Sequence, residues 1–207
     1  MARFLDDPGK QALAASIKAV EGCSSAELVI CVRLRSASYL HASLLAAMVG
    51  AFAMLTFLLF TEAAFDLVWF LVDPLVAALV CGLVTRQFPD VERVLIGAGN
   101  RRNRVREAAQ ATFFTKGIRH TRAKTGLLAY VSILERRIEV VCDTGINRAM
   151  ASVPEWKAKL SELAAIVEGG GNAKKLAAAL ESLGPVLATQ LPVDPDDINE
   201  LPDEVDG

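Results

Sequence analysis

From Ser36 to Thr61 the chain carries no Asp, Glu, Lys or Arg, and this stretch limits the folds open to it more than any other feature. The run Tyr39 to Phe60 is 22 residues long. As a helix rising about 1.5 Å per residue it reaches about 33 Å, enough to cross a hydrocarbon core of about 30 Å. After a break at Thr61-Glu62 comes a second apolar run, Ala63 to Thr85, interrupted by Asp66, Asp73 and Pro74. So short a break predicts a transmembrane helical hairpin within residues 36–86, with spans at about 39–60 and 63–85 and both outer ends on one side. Small residues four apart (Ala46/Gly50, Ala47/Ala51, Ala78/Gly82) would let the helices approach closely or meet a partner. The competing reading is a pair of core helices in a soluble bundle, but a core helix this long normally shows a polar stripe.

Composition agrees. The chain is 53 % hydrophobic and 22 % charged, against about 45–50 % and 25 % for an ordinary soluble domain. Aromatic residues make up only 6 %, so the surplus is aliphatic. Collagen-like, disulfide-scaffold and disordered classes are excluded. Residues 1–22 show no apolar signal-peptide core and no small-residue cleavage site, so the hairpin is expected to be the anchor.

Charge placement orients that anchor. Arg33 and Arg35 precede the first run; Arg86 and Arg93 follow the second, ahead of Arg101, Arg102, Arg104 and Arg106. The connecting turn offers Glu62 and Asp66. Positive residues stay on the cytoplasmic side, which predicts a two-pass protein of the inner membrane with both termini cytoplasmic. Arg86, Arg101, Arg102 and Arg104 are expected to meet anionic lipid headgroups. Nucleic acid is not an expected partner, because aromatic stacking residues are missing beside them. Cys23, Cys31, Cys81 and Cys142 form no C-x-x-C pair, and two histidines cannot complete a zinc site with them. They read as small buried thiols.

The polar parts read as one interrupted α/β domain. Residues 1–35 supply a helix over 6–22, with Leu13, Ile17 and Val20 as its buried face, and a strand over 26–34. In that strand Leu28, Ile30, Val32 and Leu34 alternate on one face. Residues 87–190 supply the rest: a helix over about 100–115, a near-continuous apolar strand at 125–133, a turn, and a half-buried strand at 137–143. Helices follow at about 144–151, 154–168 and 172–190, the last bent at Gly184-Pro185. Residues 191–207 form an acidic tail whose Pro192, Pro195 and Pro202 predict an extended course.

In this order the segments resemble the TPM domain family (thylakoid-lumen, photosystem-repair and MOLO-type proteins). They are most similar to its short bacterial members, with two membrane spans inserted after the first strand. The matching residues are Ser25 to Ile30, Ala108 to Phe113 leading into Gly117-Ile118, and Thr125 to Ser132. The turn Leu134-Glu135-Arg136-Arg137, the segment Asp143 to Ile146 and the tail Pro195 to Pro202 complete the match. The resemblance implies an α/β/α sandwich interrupted by the hairpin. It also implies one of several functions: accessory subunit of a membrane complex, phosphatase, or divalent-metal binder.

Candidate chemistry is sparse. Asp143 ends a strand before a Gly-containing turn, a position suited to a catalytic or ligand carboxylate but equally to a helix cap. Glu27 opens the first strand and could pair with Asp143 to hold Ca²⁺ or Mg²⁺ if strand order permits; otherwise it is an edge carboxylate. His120, between Arg119 and Thr121-Arg122, could bind phosphate or act as an acid/base, or be a solvated loop residue. Gly97-Ala98-Gly99 is no phosphate loop, no G-x-S-x-G occurs, and Gly169-Gly170-Gly171 reads as a helix break. Asp73 is the most unusual residue. In a span from Ala63 it lies near mid-membrane, where a carboxylate costs about 2.5–3.5 kcal/mol and calls for a partner, with Pro74 freeing the Phe70 carbonyl. Alternatively Asp73-Pro74 starts the second helix, but the remaining apolar run is then too short to cross. The reading that follows is a membrane-anchored accessory or assembly subunit, docking laterally through Asp73, Pro74, Gly50, Ala78 and Gly82 onto a membrane protein complex or a second copy. The alternative is a phosphatase-like or metal-binding enzyme.

Overall fold

The sequence patterns resolve into three strands and nine α-helices among the described residues, which are 4–193, 199–201 and 205–206 of the computed structural model. In chain order they run α1 (Asp7–Glu21), β1 (Glu27–Arg33), α2 (Leu40–Phe60), α3 (Leu67–Gln87), α4 (Pro89–Ile96) and α5 (Ala98–Thr115). A 3₁₀ turn (Ile118–His120) leads to β2 (Gly126–Ser132), β3 (Arg137–Cys142), α6 (Thr144–Met150), α7 (Pro154–Glu168), α8 (Ala173–Glu181) and α9 (Leu183–Ala188). Contacts divide the chain into two units, Met1–Ser36 with Arg102–Gly207, and Ala37–Arg101.

The first unit is mixed α/β, mostly helical, around a three-stranded sheet of order β1-β2-β3. β1 and β2 are parallel, with Glu27 opposite Gly126; β2 and β3 are antiparallel, with Leu127 opposite Cys142. The apolar strand β2 lies between the other two and is buried along its whole length. Alternation sorts the side chains. Leu28, Ile30 and Val32 join Leu127, Ala129 and Val131 in one core with Leu13, Ile17, Trp156, Leu163 and Leu176. On the opposite face Val29, Cys31, Leu128 and Tyr130 pack with Val105, Ala109 and Phe113 of α5.

Two expectations are corrected here. Leu34 does not share the buried face but is 49 % exposed. The β1–β2 register ends at Arg33–Ser132, so Leu34 lies beyond the sheet, beside the turn that begins at Ile133. The helix expected over 172–190 is two helices, broken at Ser182 rather than bent at Gly184-Pro185. Pro185 has no N–H for the Glu181 carbonyl and its ring crowds that oxygen, so the ladder ends ahead of the proline. A Cβ on Gly184 would stand 2.5 Å from Cys23 Sγ, so the glycine lets α9 lie close against α1.

In the second unit α2 and α3 are each 21 residues long. The second helix starts at Leu67, not Ala63, and runs to Gln87. Asp66 stands at its N-cap, and the helix passes unbroken through Asp73 and Pro74. Asp73-Pro74 therefore does not start the helix. Nor does Asp73 sit at its middle: it is the seventh residue, about 9 Å from the start. The helices approach closely at Gly50, where a Cβ would stand 2.5 Å from Cys81 Sγ; a Cβ on Gly82 would stand 3.5 Å from the Ser43 carbonyl oxygen. The outward faces carry Met48, Phe52, Leu67, Leu71 and Leu79, all exposed.

Candidate functional site

Strand order brings the sequence candidates to one end of the sheet. Glu27 opposes Gly126, and the Asp143 N–H donates to the Gly126 carbonyl at 2.9 Å, so Glu27 and Asp143 flank the start of β2. They are two strands apart, about 10 Å between backbones at a strand spacing of about 4.8 Å. Glycines make the end compact. A Cβ on Gly145 would stand 2.5 Å from the Lys124 carbonyl oxygen, and one on Gly126 would collide with the Ile118 backbone. Thr121, buried, accepts from the Thr125 N–H at 3.0 Å and holds the intervening turn.

Each candidate has a defined local role. Asp143 caps α6: Oδ1 accepts from the Thr144 N–H at 2.6 Å, while Oδ2 is buried with no hydrogen-bond partner among the described residues. Glu27 is not an exposed edge carboxylate. It is buried, and its two oxygens accept from the backbone N–H groups of Glu200 and Leu201, each at 3.1 Å. That use ties the Glu27 carboxylate to the backbone of the tail. Among the described residues no cluster of three or more His, Cys, Asp or Glu side chains could hold a metal. His120 is exposed and accepts from Arg119 Nε at 3.3 Å. Arg119 also lies over the Phe114 ring, 5.3 Å from its centroid. The structure therefore brings Glu27, Asp143 and the 119–122 turn to one sheet end, without a hydrogen bond or ion pair joining His120 to Asp143.

The tail supplies what the sequence left unassigned. The Ser25 N–H donates to the Leu191 carbonyl, and Leu201 packs on the α5 side of the sheet. Farther on, the Val32 N–H donates to the Asp206 carbonyl at 2.7 Å, and the Asp206 N–H to the Ile30 carbonyl at 3.0 Å, as in a parallel strand beside β1. The Asp206 carboxylate takes Arg33 at 2.8 Å and Lys116 at 2.7 Å. These cations hold it below the ordinary carboxylate range. Glu200 accepts from the Arg122 N–H at 3.1 Å. The odd-numbered residues of β1 foreshadowed this: Glu27 and Arg33 bracket Val29 and Cys31 on one face, opposite charges at opposite ends of an edge strand. Pro195 to Ile198 and Pro202, part of the family-like tail, lie outside the described residues.

All four cysteines are free thiols; burial pushes Cys142 up to about 12 and raises Cys31. In the second unit Gly50 and Gly82 face the partner helix of the hairpin, which removes them from any outward docking face. Ala78 is half-buried, and Pro74 borders an open apolar groove with Met48, Val49 and Phe52. Asp73 is half-exposed and makes no hydrogen bond or ion pair among the described residues. Arg86, Arg102 and Arg104 are exposed and Arg101 half-buried; Arg104 pairs with Glu107 at 3.2 Å.

No protein-family profile and no curated protein matches the chain. Its fold is similar to that of BA42 protein from the psychrophilic bacterium Bizionia argentinensis, solved by NMR, with a TM-score of 0.58. The likeness covers 98 % of this chain and 94 % of that one at 17 % identity, and it is a likeness of fold.

Proposed function

We propose that the chain is a two-pass membrane-anchored protein whose TPM-like domain, an α/β/α sandwich, serves as an accessory or assembly subunit of a membrane protein complex. The observation that carries this reading is the hairpin's surface. Two 21-residue helices pack on each other through Gly50 and Cys81 and turn most of their large apolar side chains outward, where only lipid or protein would cover them favourably. Trp69, half-exposed in the first turn of α3, suits a headgroup-level position. The arginines at both outer ends favour the cytoplasmic face. Separate apolar clusters on the two sheet faces support the sandwich.

Asp73 supports the subunit role. A carboxylate one turn deeper than Trp69, with no partner in its own hairpin, is costly in lipid and is relieved by a polar group from another chain, in a complex or a second copy. Gentle solubilisation tests this. The protein is expected to migrate with partners or as an oligomer, and Asp73→Leu is expected to release them. A protein that migrates alone, unchanged by that substitution, overturns the reading.

One observation favours a second reading, a phosphatase-like or divalent-metal enzyme: the buried, unpartnered Oδ2 of Asp143. Arg119, Arg122 and His120 would then serve an anionic substrate, and Ca²⁺ or Mg²⁺ would bind at Asp143. Turnover of p-nitrophenyl phosphate by the full-length protein, dependent on added Mg²⁺ or Ca²⁺ and abolished by Asp143→Ala, is the expected result. No turnover, or turnover indifferent to Asp143→Ala, rejects this site.

A further inference from the structure

Helix α4 faces the wrong way for water. Phe88, Val91 and Val94, spaced i, i+3, i+6 from its N-cap, form one stripe, and all three are exposed, Val94 at 79 %. Of its two carboxylates Asp90 is exposed, but Glu92 is turned inward at 2 % exposure, beside the buried Ile96. A short helix on a soluble surface turns its valines in and leaves its glutamates out. Arg93 folds back onto Asp90 at 2.5 Å, so the cation does not interrupt the apolar stripe. Position in the chain says what covers it. α3 ends at Gln87 and Phe88 is already the N-cap of α4, so the stripe begins where the second apolar helix stops. Beyond α4 the chain enters Arg101, Arg102, Arg104 and Arg106. Apolar span, one-sided helix and arginine cluster follow each other as bilayer core, interface and anionic headgroups do.

We infer that α4 is an interfacial helix, its Phe88–Val91–Val94 stripe seated in the headgroup–acyl boundary of an anionic phospholipid bilayer. This rests on the membrane-anchored reading and adds a second contact that fixes how the chain leaves the membrane. The test uses full-length protein in vesicles of phosphatidylglycerol and phosphatidylethanolamine. An environment-sensitive fluorescent amino acid replaces Val94, Val91 or, as a control, the exposed Lys157 of α7. Nitroxide on the lipid acyl chains is expected to quench positions 94 and 91 severalfold more than position 157, and aqueous iodide to do the opposite. Iodide quenching of 94 and 91 as strong as that of 157, in protein that resists alkaline extraction from the vesicles, overturns the inference and leaves the anchor standing. Protection from both quenchers also overturns it and points to a protein cover. Protein released by alkaline extraction overturns the anchor, and the inference with it.

Discussion

Leu127 of β2 and Leu79 of α3 are the same side chain under opposite conditions: the first is fully buried, the second 63 % exposed. In the sheet unit nearly every large aliphatic residue is enclosed and charge lies at the rim. In the hairpin Ala42 and Ser43 are buried, whereas most large residues, Leu58 excepted, lie outside. A hairpin in water would leave its largest driving force unused; one in lipid needs only close backbone approach between helices. On the proposed reading the two units follow the packing rules of two solvents, and single substitutions can test each.

The largest contrast is between Leu127→Ala and Leu79→Ala. The first opens a cavity in a packed core and is expected to cost about 2–5 kcal/mol; the second touches no core and is expected to cost no more than about 0.5 kcal/mol. Trp156, buried in the sheet unit's core, reports the first by fluorescence during unfolding in detergent. An equal loss from Leu79→Ala would mean that the outer face of α3 packs on protein.

Next comes the hairpin's own contact. Gly50→Leu pushes a side chain into Cys81 and the Ala77 carbonyl, and is expected to cost about 1–3 kcal/mol of hairpin stability. Gly82→Ala, where the added methyl meets ordinary contact distances, is expected to be near neutral. Denaturation of the α2–α3 pair in mixed micelles measures both. If Gly50→Leu is tolerated, the small-residue packing of the hairpin is wrong.

The same contrast explains what was readable in advance. Where polar and apolar residues alternate, their period names the element and its buried face: Leu13, Ile17 and Val20 on α1, Leu28, Ile30 and Val32 on β1. Asp6, Asp143 and Asn172 cap the helices that follow them. Without that contrast the chain says how much is apolar but not where a helix starts. Ala63 to Asp66 looked like helix because alanine and phenylalanine fit a span, yet α3 begins after Asp66. The candidate site was half legible. Asp143 as a cap is a local pattern, whereas the grip of Glu27 on residues 200 and 201 joins positions 173 and 174 apart in sequence, and no local period reports that.

The tail's attachment gives a smaller, sharper test of the sheet unit, because charge rather than burial secures its ends. Glu27→Gln keeps one acceptor but turns an NH₂ group toward the second amide. It is expected to weaken the attachment by about 1–3 kcal/mol, the range for a lost hydrogen bond to a charged group. Faster hydrogen exchange at the Glu200 and Leu201 amides, with Leu128 unchanged, is the expected signature. Loss of protection across β2 as well would make Glu27 part of the core rather than a clasp.

The smallest effect lies at the other clasp and depends on pH. Lys116 and Arg33 hold the Asp206 carboxyl below its ordinary value of 3.8, so the folded state binds the charged form more tightly than the unfolded chain does. The contribution is therefore complete above about 3.8 and is lost as pH falls through the lowered folded value. The Val32 amide, which donates to the Asp206 carbonyl, reads the tail's position. Its proton shift is expected to stay constant from neutral pH down to the ordinary carboxylate range and to move only in more acidic solution. Because Arg33 and Asp206 are partly exposed, added salt should shrink the change. Asp206→Asn should abolish the pH dependence and leave the Glu200 and Leu201 amides protected, since Glu27 holds them independently. A shift of the Val32 amide at neutral pH in the wild-type chain would mean that this carboxylate does not govern the clasp.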